Sequence, residues 1–156
     1  MGIAMTLKDY LIRSDIEYQV VAHPKSGSSL ESARLAHVPG DCLAKTVVLE
    51  DDGGYLIAVV PSTHRIRLGV LSGQLNRALR LATEPEFPGL FKDCVLGAIP
   101  PVGQAYGLPT VVEADLAIRP DIYFEAGDHE ELIHMTGEQF MRLMTGAEKH
   151  HFSTQI

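Results

Sequence analysis

Leu43-Ala44-Lys45-Thr46-Val47-Val48-Leu49-Glu50 and Tyr55-Leu56-Ile57-Ala58-Val59-Val60, separated by Asp51-Asp52-Gly53-Gly54, decide how the rest of the chain is read. Both runs are apolar and rich in β-branched residues, and the Asp/Gly interval supplies the backbone freedom of a tight turn, so they form a β-hairpin. Thr46-Val47-Val48-Leu49 and Leu56-Ile57-Ala58-Val59-Val60 lack polar alternation. Strands of that kind are covered on both faces.

Upstream, Thr6 opens and caps a short helix to about Ser14, with Leu7, Tyr10 and Leu11 on one stripe. Glu17 to Ala22 reads as a strand ending at His23-Pro24, followed by a polar loop, Lys25 to Ser29. Ser28 with Glu31 is a capping box for a second helix, which buries Leu30, Ala33, Leu35 and Ala36 and stops at Val38-Pro39-Gly40.

Downstream, Leu68 to Ala78 reads as a helix, Leu79 to Ala82 as a short strand, and Glu84 to Phe91 as a helical turn broken by Pro88. Leu108–Glu113, Ile122–Glu125 and Leu132–Met135 are further strands, and Thr136 or Gly137 to Met144 is a closing helix. No repeat or linker divides the chain. The expected class is mixed α/β, α+β-like: a largely antiparallel or mixed sheet, open to barrel-like curvature, surrounded by short helices. Residues 1–146 form one domain, and 147–156 follow as a loose C-terminal tail.

The chain has 156 residues, 46% hydrophobic and 21% charged, with a formal net charge of −7. That balance excludes a protein that coats nucleic acid with a broad basic surface, and leaves room for a local basic rim that holds one strand end. The absence of Trp and the 6% aromatic content make base-stacking platforms sparse. Cys42 and Cys94 show neither zinc-ribbon nor redox spacing, so reduced thiols in a cytoplasmic protein are expected. The N-terminus lacks a signal-peptide apolar stretch, and the uncharged run Cys94–Val112 is broken by Pro and Gly throughout, so no membrane partner is expected.

His129-Glu130-Glu131-Leu132-Ile133-His134 has Ile133 where a zincin helix needs its second His. Along a strand, His129 and His134 would point to opposite faces. The other histidines share no ligand spacing, so no catalytic metal is expected. Nucleophile elbows, P-loops and dinucleotide fingerprints are all missing.

Two features ask for a chemical role. Lys45 shares the inward face of its strand with Leu43, Val47 and Leu49, and either points into a cavity or snorkels to solvent from the strand end. Leu96-Gly97-Ala98-Ile99-Pro100-Pro101-Val102-Gly103-Gln104 is either a plain tight connection or a stiff loop that presents backbone N–H groups to a ligand.

In order and spacing, these stretches resemble the YbaK-type aminoacyl-tRNA editing domains. The marks are His23-Pro24, the Ser-rich helix entry, Ala44 to Leu49, Val59-Val60-Pro61, the loop Gly97 to Gly103, and Phe124-Glu125-Ala126-Gly127-Asp128-His129. The resemblance implies the editing-domain fold and hydrolysis of the ester linking a wrong amino acid to the 3′ end of tRNA, in trans and without metal or organic cofactor.

It also implies residue roles. Lys45 anchors the terminal nucleotide, while Gly97, Ala98, Ile99, Pro100 and Pro101 hold the carbonyl and stabilise the oxyanion. Substrate contacts fall at His23, Thr46, His64, Gly127 and His129. Attack comes from a substrate group or a water positioned by the tRNA ribose, which explains the missing nucleophile. The acceptor end of aminoacyl-tRNA is the implied partner, held within a rim of Lys25, Arg34, Lys45, His64, Arg65 and Arg67. A synthetase is a second partner that could deliver it; DNA is not one. Val102 in place of an aromatic, and Gly127-Asp128-His129-Glu130 in place of an Arg-containing stretch, depart from the cysteine-editing branch and leave Ala, Ser or Thr open as the edited residue. The reading from another class is a non-catalytic module on the same fold that binds tRNA ends or a small ligand.

Overall fold

The computed structural model describes residues 3–24, 28–83, 87–94 and 98–156. Helices α1 (Met5–Arg13), α2 (Ser29–Leu35), α3 (Leu68–Leu75), α4 (Phe87–Leu90) and α5 (Gly137–Leu143) are all short. The strands are β1 (Gln19–Ala22), β2 (Leu43–Asp51), β3 (Gly54–Pro61), β4 (His64–Ile66), β5 (Arg80–Leu81), β6 (Thr110–Glu113), β7 (Asp121–Glu125), β8 (Glu131–Thr136), β9 (Glu148–His150) and β10 (Ser153–Gln155). The main sheet runs β1-β8-β7-β2-β3-β6-β9, with β5 paired to β2, and β10 pairs β4 in a separate ribbon. Contacts β1/β8, β7/β8, β2/β3 and β2/β5 are antiparallel, while β2/β7, β3/β6 and β6/β9 are parallel. This is the mixed α/β architecture the sequence predicts.

The hairpin behaves as its composition demands. Ile57 and Val59 enter the main core with Val112, Phe124, Ile133 and Phe140, and Leu56, Ala58 and Val60 enter a second cluster with Leu71 and Phe152. Both faces of β3 are therefore dry, and each fully buried Leu, Ile or Val side chain contributes roughly 1.5–3 kcal/mol. At the turn, the Gly53 N–H donates to Asp51 Oδ1 at 2.8 Å, and Arg77 grips the same carboxylate twice, at 2.7 and 2.9 Å. This fork holds the Asp51 carboxyl well below the usual carboxylate range.

Several expectations need correction. Thr6 is not the cap of α1: the helix begins at Met5 behind Ala4, and the Thr6 N–H donates to Asp93 Oδ2 from across the fold at 2.9 Å. Helix α3 ends at Leu75 because Asn76 turns left-handed (φ 53°). Helix α2 stops at Leu35, before Val38-Pro39-Gly40, and His37 is left-handed there. Residues 84–86 of the expected helical turn lie outside the described residues. The loose tail is the largest miss. Residues 148–150 extend the main sheet, 153–155 pair with β4, and Phe152 between them is fully buried.

Candidate functional site

β2 and β7 run side by side for two residue pairs, Leu43–Tyr123 and Ala44–Phe124, and then part. Further along, β2 is joined by β5 only at Leu49 and Glu50, so among the described residues Lys45 to Val47 have no strand neighbour on that edge. Glu125, the last residue of β7, lies one position past the last of these pairs and shares the face of Tyr123. Crevices of this kind form where neighbouring strands diverge.

Lys45 is partly buried and lines a groove of about 270 Å³ with Val47, Arg65, Ile66, Leu68 and Leu81. Burial alone lowers its pKa, since no carboxylate among the described residues pairs with it. Lys45 is one wall of this groove, whose other walls are mostly apolar and include one other cation, Arg65.

Thr46 faces the opposite side of β2, where its hydroxyl donates to the Ile99 carbonyl at 2.7 Å. That bond fastens the 98–101 segment to the strand. Ala98, Ile99, Pro100 and Pro101 are all buried, and Ile99 and Val102 belong to the main core. Proline has no N–H, so only Ala98 and Ile99 can donate from this stretch. Among the described residues neither N–H has a hydrogen-bond partner, an uncommon state for buried backbone. Gly97 lies outside the described residues.

A network that sequence reading missed braces the loop from behind. Asp93 accepts from the Thr6 N–H and from the Tyr106 hydroxyl at 2.9 Å each, and Tyr106 lies 3.1 Å from Cys94 Sγ. Burial pushes the Cys94 thiol up to about 12 and raises Tyr106 as well, so both stay protonated and act as struts. The only signal in sequence was the Asp93-Cys94 pair at the loop's entrance.

Beyond β7, the chain makes a locked turn. Gly127 has φ 110°, and a Cβ there would lie 2.9 Å from that of Ala4, so glycine permits the N-terminal segment to approach. Asp128 Oδ1 accepts the Glu130 and Glu131 N–H groups at 3.0 Å each, and the Glu130 carbonyl accepts the His23 N–H at 2.9 Å. His129 is left-handed (φ 60°) and buried, with Nδ1 3.6 Å from Glu125 Oε2. It sits before β8 rather than in it, so strand alternation does not govern its direction relative to His134. Burial raises Glu125 to about 7, against the Ser32 hydroxyl, with Asp128 adding repulsion. His23 donates its Nδ1–H to the Pro24 carbonyl (2.7 Å), while its buried Nε2 has no partner among the described residues.

Glu125 and His129 thus meet at the end of β7, with His23 bonded to Glu130 on the same turn. Lys45 lines the groove with Arg65, and Thr46 and Ile99 are joined on the other face of β2. His64 is elsewhere: its Nδ1 is bonded to Ser153 Oγ at 2.8 Å, inside the network that holds the C-terminal strands. Of the basic rim, Arg34, Arg65 and Arg67 are exposed, and Lys25 lies outside the described residues. No helix among the described residues is long and apolar enough to cross a membrane.

A family model described as the aminoacyl-tRNA editing domain matches residues 23–143. One solved structure, provisionally assigned as a trans-editing enzyme for prolyl tRNA synthetase, is 25% identical with a TM-score of 0.84, covering 97% of this chain and 96% of that one. The hypothetical protein APE2540 is 20% identical with a TM-score of 0.85, covering 96% of this chain and 99% of its own. A signal-transduction candidate from Marinobacter aquaeolei VT8 carries the same fold within a longer chain, at 22% identity and TM-score 0.80; the match covers 99% of this chain and 31% of that one. No curated protein matches the chain.

Proposed function

Because this chain belongs to the aminoacyl-tRNA editing domain family, we propose that it is a deacylase that acts in trans on mischarged tRNA. The observation that carries the reading is the edge of β2 past its last pair with β7, where, among the described residues, Lys45 has no carboxylate partner on one face and the Ala98 and Ile99 N–H groups, tied to the other face through Thr46, have no partner. Lys45 and Arg65 hold phosphate or ribose of the terminal nucleotide, and the apolar walls of their groove receive its base. The ester crosses the open edge of β2. Water, positioned by a ribose hydroxyl of the tRNA itself, adds to the carbonyl carbon, and the Ala98 and Ile99 N–H groups receive the oxyanion. As the ester C–O bond breaks, the proton of the attacking group passes to the departing ribose oxygen, which leaves as a hydroxyl. Positioning supplies most of the rate, so no nucleophilic side chain is required.

Thr46 is a positioning residue, because its hydroxyl fixes the Ile99 carbonyl and so the direction of the donors. His23 and His129 line the amino-acid pocket, and Glu125 steadies His129 from beneath. His64 leaves the proposed set, being committed to Ser153. With a small cationic rim as the phosphate grip, tRNA binding is weak and its salt dependence shallow.

A deacylation panel tests this: purified protein against tRNAs charged with Ala, Ser, Thr, Cys and Pro, with and without EDTA. Release of one or a few amino acids, indifferent to EDTA, supports the reading and names the substrate. Saturable tRNA binding with no release from any member would replace it with a non-catalytic binding module.

A further inference from the structure

Away from the crevice, β4, the end of β6 and the link between β9 and β10 bring two histidines and two carboxylates together. Glu113 closes β6 and caps the turn after it, its Oε2 accepting the Asp115 N–H at 3.1 Å. Its Oε1 accepts the Phe152 N–H, the Ser153 N–H and the Ser153 hydroxyl, at 3.0, 2.9 and 2.7 Å. These bonds hold the Glu113 carboxyl below the usual carboxylate range despite complete burial.

The bonding fixes a tautomer. Ser153 has one hydroxyl proton, and a carboxylate can only accept it. Ser153 Oγ must therefore accept from His64 Nδ1–H at 2.8 Å, which leaves the lone pair of a neutral His64 on Nε2. A ring whose Nδ1–H is held by a hydroxyl, itself anchored to a carboxylate, is oriented as metal-binding imidazoles are.

The spacing agrees. His64, Glu113 and Asp115 each offer a ligand atom within 4.8 Å of the others. His151 Nδ1 lies 3.1 Å from Glu113 Oε2 and 3.5 Å from Asp115 Oδ1. Four N/O ligands in a tetrahedron with bonds of about 2.0–2.1 Å stand about 3.3 Å apart. Ordinary side-chain adjustment closes the difference, since the His151 side chain is 74% exposed.

We propose that His64, Glu113, Asp115 and His151 form a binding site for a divalent transition-metal ion of the zinc class. With all four positions filled by protein, the site is structural: it lashes the C-terminal strands to β4 and β6. It does not depend on the editing reaction. Arg65, which lines the Lys45 groove, follows His64 on β4, so the ion would also steady that strand.

Chelator-stripped, dialysed protein is titrated with Zn²⁺ by calorimetry and with Co²⁺ by visible absorption. The expected result is one equivalent bound with a dissociation constant of about 1 μM or lower, a tetrahedral cobalt spectrum, and a Tm that climbs with zinc concentration. His151→Ala and Asp115→Asn, at positions exposed enough to preserve the fold, each weaken binding by about tenfold or more. Absence of stoichiometric binding to wild type would overturn the proposal, leaving a metal-free ion-pair cluster. So would binding that survives both substitutions unchanged.

Discussion

Glu113 and Glu125 are the same residue at nearly the same burial, 0% and 2% exposed, and they have opposite fates. Glu113 collects N–H and O–H donors from Asp115, Phe152 and Ser153, stays anionic and joins the C-terminal segment to the sheet. Glu125 faces His129 across 3.6 Å and the Ser32 hydroxyl, and burial raises it to about 7. Hydrogen bonding outweighs desolvation at the first site, and desolvation wins at the second. A saturated buried carboxylate is architecture. A desolvated one, facing a buried histidine, marks a place shaped for something else to bind.

The largest expected effect is on the saturated side. Glu113→Ala strands several buried donors at once and should cost about 3–5 kcal/mol, read by urea denaturation. A loss below about 1 kcal/mol would mean that the network is replaceable by water, and the contrast would collapse.

The pH dependence sharpens the comparison from the other side. An acid raised in the folded state contributes stability in full below its unfolded value, 4.5 for Glu125, and loses it as pH rises through about 7. Between those values the fold should lose on the order of 3 kcal/mol through this group. Glu113, lowered in the folded state, contributes in the opposite sense: its stability is present above 4.5 and lost as pH falls further. Glu125→Gln should flatten the loss between pH 5 and 8 and leave the acid limb intact; an unchanged profile in that variant would assign the slope to other groups.

Smaller effects follow at the backbone. Gly127→Ala forces a side chain into a left-handed position against Ala4 and should cost about 1–2 kcal/mol. Thr46→Val removes one hydrogen bond and should cost about 1 kcal/mol in stability. Its kinetic signature separates positioning from packing: kcat for deacylation should fall about tenfold with KM little changed. A matched change in both would point to a general loosening of the groove.

Legibility in sequence followed locality. The β2–β3 hairpin and its two dry faces were readable because apolar runs and an Asp/Gly turn are written in adjacent residues. The helix beginning after Thr136 was readable for the same reason, since its hydroxyl accepts the Gln139 N–H three residues on. Lys45 and the 97–101 loop stood out by their departure from pattern. The tail was misread because Glu148–His150 and Ser153–Gln155 have no alternation of their own; Glu113 and Phe152 hold them through contacts about forty residues apart, as with Phe152 N–H to Glu113. His64 was placed among the substrate contacts by the resemblance, and only the fold shows Ser153 beside it. That Ala98 and Ile99 have no hydrogen-bond partner among the described residues was not legible in sequence and required the structure.

The central claim is that the unsatisfied end of the sheet is where an aminoacyl ester is cleaved, and one rate constant tests it most directly. Single-turnover deacylation is measured for wild type and Lys45→Ala, on the charged tRNA that wild type cleaves fastest, with circular dichroism confirming that the variant is folded. A fall of about a hundredfold or more in a folded Lys45→Ala protein is the predicted result. Retained cleavage at the wild-type rate would contradict it and remove the crevice from the reaction.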